Sequence, residues 1–220
     1  MTPEQLTGRT QQHITFIEGN IGLHHQVVEP WQALQAAAAR DGFNLHIASG
    51  FRSFERQLGI FNAKLSGQRP VRDINNGRVD LNALPMNEKI HAILLYSALP
   101  GASRHHWGTD IDVFDPDLLD GASLQLEPWE YQDNGPMAPL NAWLECNIEQ
   151  YGFYKPYASF SGGVAPEPWH LSYGPLAKQF EQQLTVEILS QCLADNPTDA
   201  VDDVANLLPS IVTRYVRITA

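Results

Sequence analysis

The chain has 220 residues, of which 43% are hydrophobic and 10% aromatic, enough to build the core of one sizeable domain. A formal net charge of −11 argues against a nucleic-acid partner and against docking on an anionic membrane, because both need a basic face. No apolar run approaches the roughly 20 residues that span a bilayer. The first residues lack the basic and then apolar order of a secretory signal, so we expect a cytoplasmic protein; the periplasm is the alternative if a leader has been removed.

Hydrophobic spacing and capping residues predict helices mixed with short strands. Thr2 and Pro3 favour a first short helix, because threonine is a good N-cap and proline suits the first helical position. Apolar residues at helical spacing predict six further helices, over residues 27–42, 53–65, 86–99, 137–152, 175–194 and 199–217. Alternating apolar and polar residues predict strands within 43–51 and 109–115, and Asn76-Gly77 predicts a turn or hairpin.

These elements favour the α+β class, with a small antiparallel sheet flanked by helices. Helices and strands do not alternate regularly along the chain, as they would in a parallel α/β sheet. We expect one domain over residues 1–220, with the polar motifs confined to about 25–175 and a C-terminal helical extension over about 176–220.

The segment SRHHWGTDIDV, residues 103–113, is rich in metal-binding side chains. A loop that bends at Gly108 can turn His105 back beside Asp112, which lies on the polar face of the second predicted strand. His170 in the later segment PEPWHLSY would complete a set of three ligands. Two imidazoles and one carboxylate suit zinc and leave the fourth position open for water, as in catalytic sites. His106 is the neighbouring alternative to His105 as the ligand.

A water held by the metal also needs a general base, and Glu167 is the candidate. It precedes His170 by three residues, with Pro168 and Trp169 between them, so neither helical nor extended geometry is predicted and their co-location is an inference. Ser103 together with a histidine and an aspartate could suggest a serine triad, but no Gly-x-Ser-x-Gly elbow surrounds it. We expect Ser103 to cap the loop or contact the substrate.

The segment SGFRSFERQ, residues 49–57, predicts an anion-binding position. Arg52 follows a predicted strand and opens a predicted helix, where a guanidinium and free backbone N–H groups both favour a negative charge. Arg52 could therefore hold a substrate carboxylate or a developing oxyanion. Ser53 and Gln57 could add neutral hydrogen bonds from the same helix start.

Taken together, the three segments resemble the VanY-like D-alanyl-D-alanine carboxypeptidases, within the wider group that includes D-Ala-D-Ala dipeptidases and the hedgehog zinc domain. The family pattern Ser-x-His-x-x-Gly-x-x-x-Asp is matched by Ser103, His105, Gly108 and Asp112. The closing Glu-x-x-His, commonly Glu-x-Trp-His, is matched by Glu167, Trp169 and His170. The upstream Ser-Gly-Tyr/Phe-Arg-Ser…Gln is matched from Ser49 to Gln57, with phenylalanine at the third position. The resemblance spans roughly residues 25–175.

The resemblance implies one zinc ion held by His105, Asp112 and His170, with Glu167 as catalytic base. It also implies that Arg52 either polarises the scissile carbonyl or binds the terminal carboxylate. Asp110 stands where many relatives carry a small apolar residue, so we expect it to orient a ligand, to form a salt bridge or to compete for the metal.

The function implied is hydrolysis of the terminal peptide bond of short peptidoglycan stem peptides that end in D-alanine. The alternatives are an L,D-carboxypeptidase or an endopeptidase on the same scaffold, and a zinc-binding module without catalysis. The expected partner is a small peptide, and the oligomeric state is left open.

Overall fold

The computed structural model describes residues 1–218, and it shows a four-stranded antiparallel sheet surrounded by helices. The strands are β1 (Ile14–Phe16), β2 (Gly22–His24), β3 (His46–Ser49), β4 (Asp110–Phe114), β5 (Phe153–Tyr154) and β6 (His170–Tyr173). The helices are α1 (Pro3–Leu6), α2 (Val28–Arg40), α3 (Phe54–Leu65), α4 (Met86–Leu94), α5 (Ala138–Asn147), α6 (Gly174–Gln183), α7 (Val186–Asp195) and α8 (Val201–Ile211), which continues into a π-helical turn (Val212–Val216). Short 3₁₀ segments cover Leu81–Ala83, Arg104–Trp107, Pro116–Leu119, Pro128–Tyr131 and Ile148–Tyr151. The predicted α+β class is confirmed.

The sheet separates an apolar face from a polar face. Its strand order is β3-β4-β6-β5, and β1 pairs with β2 in a separate hairpin. On one face Ile111, Val113 and Leu171 are fully buried, and they belong to the same core cluster as residues of α2 and α5. Because side chains alternate along a strand, Asp110 and Asp112 lie on the opposite face.

A second apolar cluster lies among helices whose buried residues do not belong to the first. It includes buried residues of α3, α4, α6, α7 and α8, with Trp107 from the turn before β4. The side chain of Trp107 is fully buried and its indole N–H donates to the carbonyl of Leu6 at 3.1 Å. The C-terminal helices therefore pack on the elements that carry the polar segments. Among residues 1–218, no helix is both long enough and apolar enough to cross a membrane.

Several local predictions are confirmed by the backbone. Thr2 caps α1 in a capping box with Gln5. The predicted Asn76-Gly77 turn is present, with Arg72 and Arg78 bridged across it and Asn76 at φ 65°.

Two helix predictions were wrong in extent. Residues 175–194 form two helices and not one, because Thr185 caps a new helix by accepting a hydrogen bond from the N–H of Ile188 at 3.3 Å. The helix predicted over 86–99 ends at Leu94, several residues before Pro100. The strands β1, β2, β5 and β6 were not predicted; each has only two to four residues, which is too short for alternation to stand out.

Candidate metal centre and surrounding cavity

Strand pairing places Asp112 and His170 side by side. In the antiparallel register of β4 and β6, Asp112 is the partner of His170, so both side chains point to the polar face. Nδ1 of His170 lies 3.2 Å from Oδ1 of Asp112. The two residues are nearly sixty positions apart in sequence, and only the sheet brings them together.

A tight turn brings His105 to the same point. Gly108 adopts a left-handed conformation (φ 68°) at the end of the 3₁₀ segment, and the chain then enters β4. Nε2 of His105 lies 3.4 Å from Oδ2 of Asp112. One ligand atom from each of His105, Asp112 and His170 lies within 4.8 Å of the others, close enough for a single metal ion.

The inward-facing atoms of this trio fit a divalent cation. Oδ1 of Asp112 and Nδ1 of His170 are buried and lie 3.2 Å apart, but within residues 1–218 neither makes a hydrogen bond of good geometry. Buried polar atoms of this kind are costly unless something pairs with them. Two imidazole nitrogens and one carboxylate oxygen are the donor set of a catalytic zinc site with one open position.

The ring nitrogens of the two histidines that face away from the trio are hydrogen-bonded to neighbouring residues. Nδ1 of His105 lies 3.0 Å from the carbonyl oxygen of Gly50, and Nε2 of His170 lies 3.0 Å from Oδ1 of Asp110. Each ring therefore donates away from the trio, which fixes its tautomer and orientation. The other nitrogen of each ring points toward Asp112.

Asp110 is held between His170 and a buried arginine. Nε of Arg104 donates to Oδ1 of Asp110 at 2.8 Å, and Thr109 Oγ1 donates to Oδ2 at 2.6 Å. Of the roles expected for Asp110, the structure shows two, because it orients His170 and forms a salt bridge. The other end of Arg104 donates to Oε2 of Glu181 in α6 at 2.7 Å.

Burial and charge set the protonation of these groups. Burial lowers the pKa of His105 to about 4, although the charge of Asp112 opposes the shift. Burial also acts to lower the pKa of His170, but the carboxylates of Asp110, Asp112 and Glu167 outweigh it and raise that pKa well above its usual value. Burial acts to raise the pKa of Asp110, but its contacts with Arg104 and His170 lower it overall, so the carboxylate stays charged.

Glu167 reaches the trio through a turn. The N–H of His170 donates to the carbonyl of Glu167 at 3.0 Å, which closes the Glu-Pro-Trp-His segment and brings the two side chains to the same side. Oε2 of Glu167 lies 3.4 Å from Nδ1 of His170. The structure thus confirms that the side chains of Glu167 and His170 lie together. The backbone between them forms a turn and is neither helical nor extended. The Glu167 side chain is 14% exposed, so solvent reaches it.

Arg52 lies in the same cavity and is fixed by neighbours. Its guanidinium donates to Oε1 of Gln57 at 2.9 Å and to Oγ of Ser49 at 3.2 Å. Burial lowers the pKa of Arg52 from its ordinary value, and the charges of Asp112 and Glu167 oppose that shift.

The other predicted substrate contacts are placed differently. Gln57 is fully buried, holds Arg52 and donates to the carbonyl of Ala98 at 2.7 Å. Ser53 caps α3 by accepting from the N–H of Arg56 at 3.3 Å. In the part of the chain that is described, neither Ser53 nor Gln57 lines the cavity, whereas Ser103 does. The hydroxyl of Ser103 makes no capping bond to the described 3₁₀ segment that follows it.

His106 contacts the backbone of Arg52 and does not belong to the trio that could hold a metal ion. Its Nδ1 lies 2.6 Å from the carbonyl oxygen of Arg52, and its Nε2 accepts from the N–H of Gly101 at 3.1 Å. The backbone N–H of Arg52 donates in turn to the carbonyl of His105 at 3.1 Å. These bonds attach the arginine to the turn that carries His105.

The cavity itself has a volume of about 210 Å³ and contains more residues than the motifs predict. Tyr157, whose ring stands edge-on to that of His170 at 4.9 Å, forms one side. Ile211, Tyr215 and Val216 reach it from the C-terminal segment. No spacing relative to the motifs marks these residues in the sequence, because the contacts arise only when distant elements pack.

Comparisons with known proteins give the family and the fold that this chain resembles. The sequence model of the VanY family, described as D-alanyl-D-alanine carboxypeptidase, matches residues 20–176. An uncharacterized protein of Haemophilus influenzae is 42% identical over 121 residues, which make up 54% of this chain and 92% of the relative. The structure of VanYB in complex with D-alanine-D-alanine has a TM-score of 0.54 and 22% identity, covering 79% of this chain and 85% of that one. A Zn(II) complex of a mutant of the vancomycin resistance D,D-pentapeptidase VanY has a TM-score of 0.53 and 23% identity, covering 82% and 92%. These structures share the fold of the chain.

Proposed function

The chain belongs to the VanY family of D-alanyl-D-alanine carboxypeptidases, and we propose that it is a zinc-dependent carboxypeptidase acting on peptidoglycan stem peptides that end in D-alanine. One observation carries the proposal: His105, Asp112 and His170 converge in a buried cavity that also contains Glu167 and Arg52. The VanY structures that share its fold were obtained with D-alanine-D-alanine and with Zn(II), which supports the same ligand classes here.

His105, Asp112 and His170 would hold the zinc ion, because their inward-facing nitrogen and oxygen atoms form a suitable donor set. Zinc bound there would act as a Lewis acid and lower the pKa of a bound water to about 7. Asp110 and the carbonyl of Gly50 hold the two imidazole rings in the orientation that this requires.

Glu167 would serve as general base and then as general acid. Its carboxylate reaches the edge of the trio and is partly open to solvent, so it can take a proton from the attacking water. Water adds to the scissile carbonyl, the C–N bond breaks, and Glu167 passes the proton to the nitrogen of the departing D-alanine. The step releases a free amine and a new carboxylate and needs no covalent enzyme intermediate.

Arg52 would bind the negative oxygen of the substrate. Its guanidinium is partly buried and positioned by Gln57 and Ser49, so little conformational freedom is lost when an anion binds. That anion is either the terminal carboxylate or the oxyanion that develops on the scissile carbonyl.

A panel of three peptides tests the function. Zinc-loaded protein is incubated with a stem tetrapeptide, a pentapeptide ending in D-Ala-D-Ala and the same pentapeptide with an amidated end, and the released D-alanine or D-alaninamide is quantified. We expect release of D-alanine from the free pentapeptide and little release of D-alaninamide from the amidated one. Preference for the tetrapeptide would indicate an L,D-carboxypeptidase, and equal cleavage of the amidated peptide would indicate an endopeptidase. No hydrolysis of any peptide by protein with one bound zinc would refute the proposal and favour a binding module.

A further inference from the structure

The cavity has an apolar wall that comes from the C-terminal segment. Ile211, at the end of α8, and Tyr215 and Val216, in the π-helical turn, line the same cavity as Arg52 and Glu167. All three side chains are buried. They lie beyond residue 176, where the match to the family model ends.

Polar contacts anchor one end of this wall to α6. The guanidinium of Arg217 donates to the carbonyls of Glu181 and Leu184, the latter at 3.1 Å, and the N–H of Ile218 donates to Oε1 of Glu181 at 3.0 Å. The other carboxylate oxygen of Glu181 accepts from Arg104, the partner of Asp110. A single glutamate therefore joins the C-terminal segment to the network behind the candidate metal centre.

Further contacts fix the wall to residues 162–163 and to α4. The side chain of Arg214 donates to the carbonyl of Gly162, and Gly163 lies so close to the carbonyl of Arg214 that a Cβ there would clash with it. The hydroxyl of Tyr215 lies 3.0 Å from Nδ1 of His91 in α4. The wall is thus held on two sides, and it can act as a fixed boundary of the cavity.

The backbone of the wall is itself unusual. Residues Val212–Val216 form a π-helical turn directly after α8, which carries Pro209 in its last turn. Such turns are rare in proteins and concentrate at functional sites. In this chain the turn carries both Tyr215 and Val216 to the cavity.

We propose that Ile211 and Val216 set the size of the terminal residue that the enzyme accepts, restricting it to small side chains such as that of alanine. The proposal rests on the function proposed above. The cavity of about 210 Å³ is smaller than the roughly 300–1,000 Å³ of most small-molecule sites. If Arg52 binds the terminal carboxylate inside this cavity, a longer side chain on the terminal residue would meet the apolar wall.

The test compares terminal D-alanine with terminal D-norvaline, which is longer by two methylene groups. The zinc-loaded wild type, Ile211→Ala and Val216→Ala are assayed on the two matched pentapeptides. We expect the ratio of kcat/KM for D-norvaline over D-alanine to rise about tenfold or more in both variants. Leu208→Ala is the matched control, because Leu208 is buried one turn away in α8 but is not among the described residues that line the cavity. Its ratio should stay within about twofold of the wild type.

An unchanged ratio in Ile211→Ala and Val216→Ala, or an equal rise in Leu208→Ala, would overturn the proposal. Thermal melting checks that each variant is folded, and Ile211→Val provides a milder change if Ile211→Ala does not fold. If the wild type cleaves neither peptide, the proposed function fails, and calorimetric binding of the same peptides to the zinc-loaded variants decides the role of the wall. A shift in relative affinity toward D-norvaline then supports it, and no shift overturns it.

Discussion

Replacing Asp110 by alanine is expected to weaken zinc binding although Asp110 does not belong to the trio that would hold the metal. In the structure Asp110 accepts the Nε2–H of His170 at 3.0 Å and so holds the ring with Nδ1 facing Asp112. Without Asp110, the imidazole can rotate and change tautomer, and metal binding must then order it.

The magnitude follows from the hydrogen bond that the substitution removes. Removing the carboxylate partner of a metal-ligating histidine typically costs about 10- to 100-fold in metal affinity. That range corresponds to about 1.4–2.8 kcal/mol, which agrees with the roughly 1.5–3 kcal/mol of a hydrogen bond to a charged group. The metal-free protein should also become less stable, because Arg104 then keeps Glu181 alone as a carboxylate partner within residues 1–218. That destabilisation should stay below the about 3–5 kcal/mol of a buried charge left without any partner.

Zinc affinity is measured by competition with a chelator of known affinity, at one pH, for wild type, Asp110→Ala, Asp110→Asn and Glu181→Gln. The asparagine can still accept a hydrogen bond from His170, so it should restore part of the affinity. Glu181→Gln alters the other partner of Arg104 without touching His170, so it should change stability while leaving zinc affinity near that of the wild type. If Asp110→Ala binds zinc as tightly as the wild type, or if Glu181→Gln weakens binding as much, the orienting role of Asp110 is wrong.

Three further predictions concern the base, the arginine and one glycine. Glu167→Gln should lower kcat by about 10²–10⁴ with zinc content unchanged by atomic absorption, since an amide cannot carry the proton; turnover like that of the wild type would contradict this role. Arg52→Lys should lower kcat/KM about tenfold or more on free-acid peptides, because lysine lacks the forked donor pair, and equal decreases on amidated peptides would exclude recognition of the terminal carboxylate. A residue other than glycine in the left-handed conformation costs about 1–2 kcal/mol. Gly108→Ala should lower the free energy of urea unfolding by more than this, because the added Cβ would also lie 2.6 Å from the backbone nitrogen of His24. Gly67→Ala, at φ 76° with open space around it, should show only the conformational part, and equal decreases would rule out crowding at Gly108.

Much of the candidate site was predictable from the sequence because its residues fall within short segments at fixed intervals. The intervals from Ser103 to Asp112 and from Glu167 to His170 are set by one turn and one strand each. The helix periodicity of α2 and α3 was also readable, because it depends on residues three and four positions apart. The break between α6 and α7 depends on a single capping threonine within an otherwise periodic stretch, and periodicity alone concealed it.

The sequence by itself determined which side chains are available for metal binding and proton transfer, and roughly where the helices and the strands β3 and β4 lie. Only the tertiary structure decided that Asp110 holds His170, that His106 supports Arg52, and that Ile211, Tyr215 and Val216 close the cavity. The physical reason is the range of the interactions. Backbone turns and periodic burial act over a few residues. These contacts join residues more than fifty positions apart, and they form only when the sheet and the helices pack together.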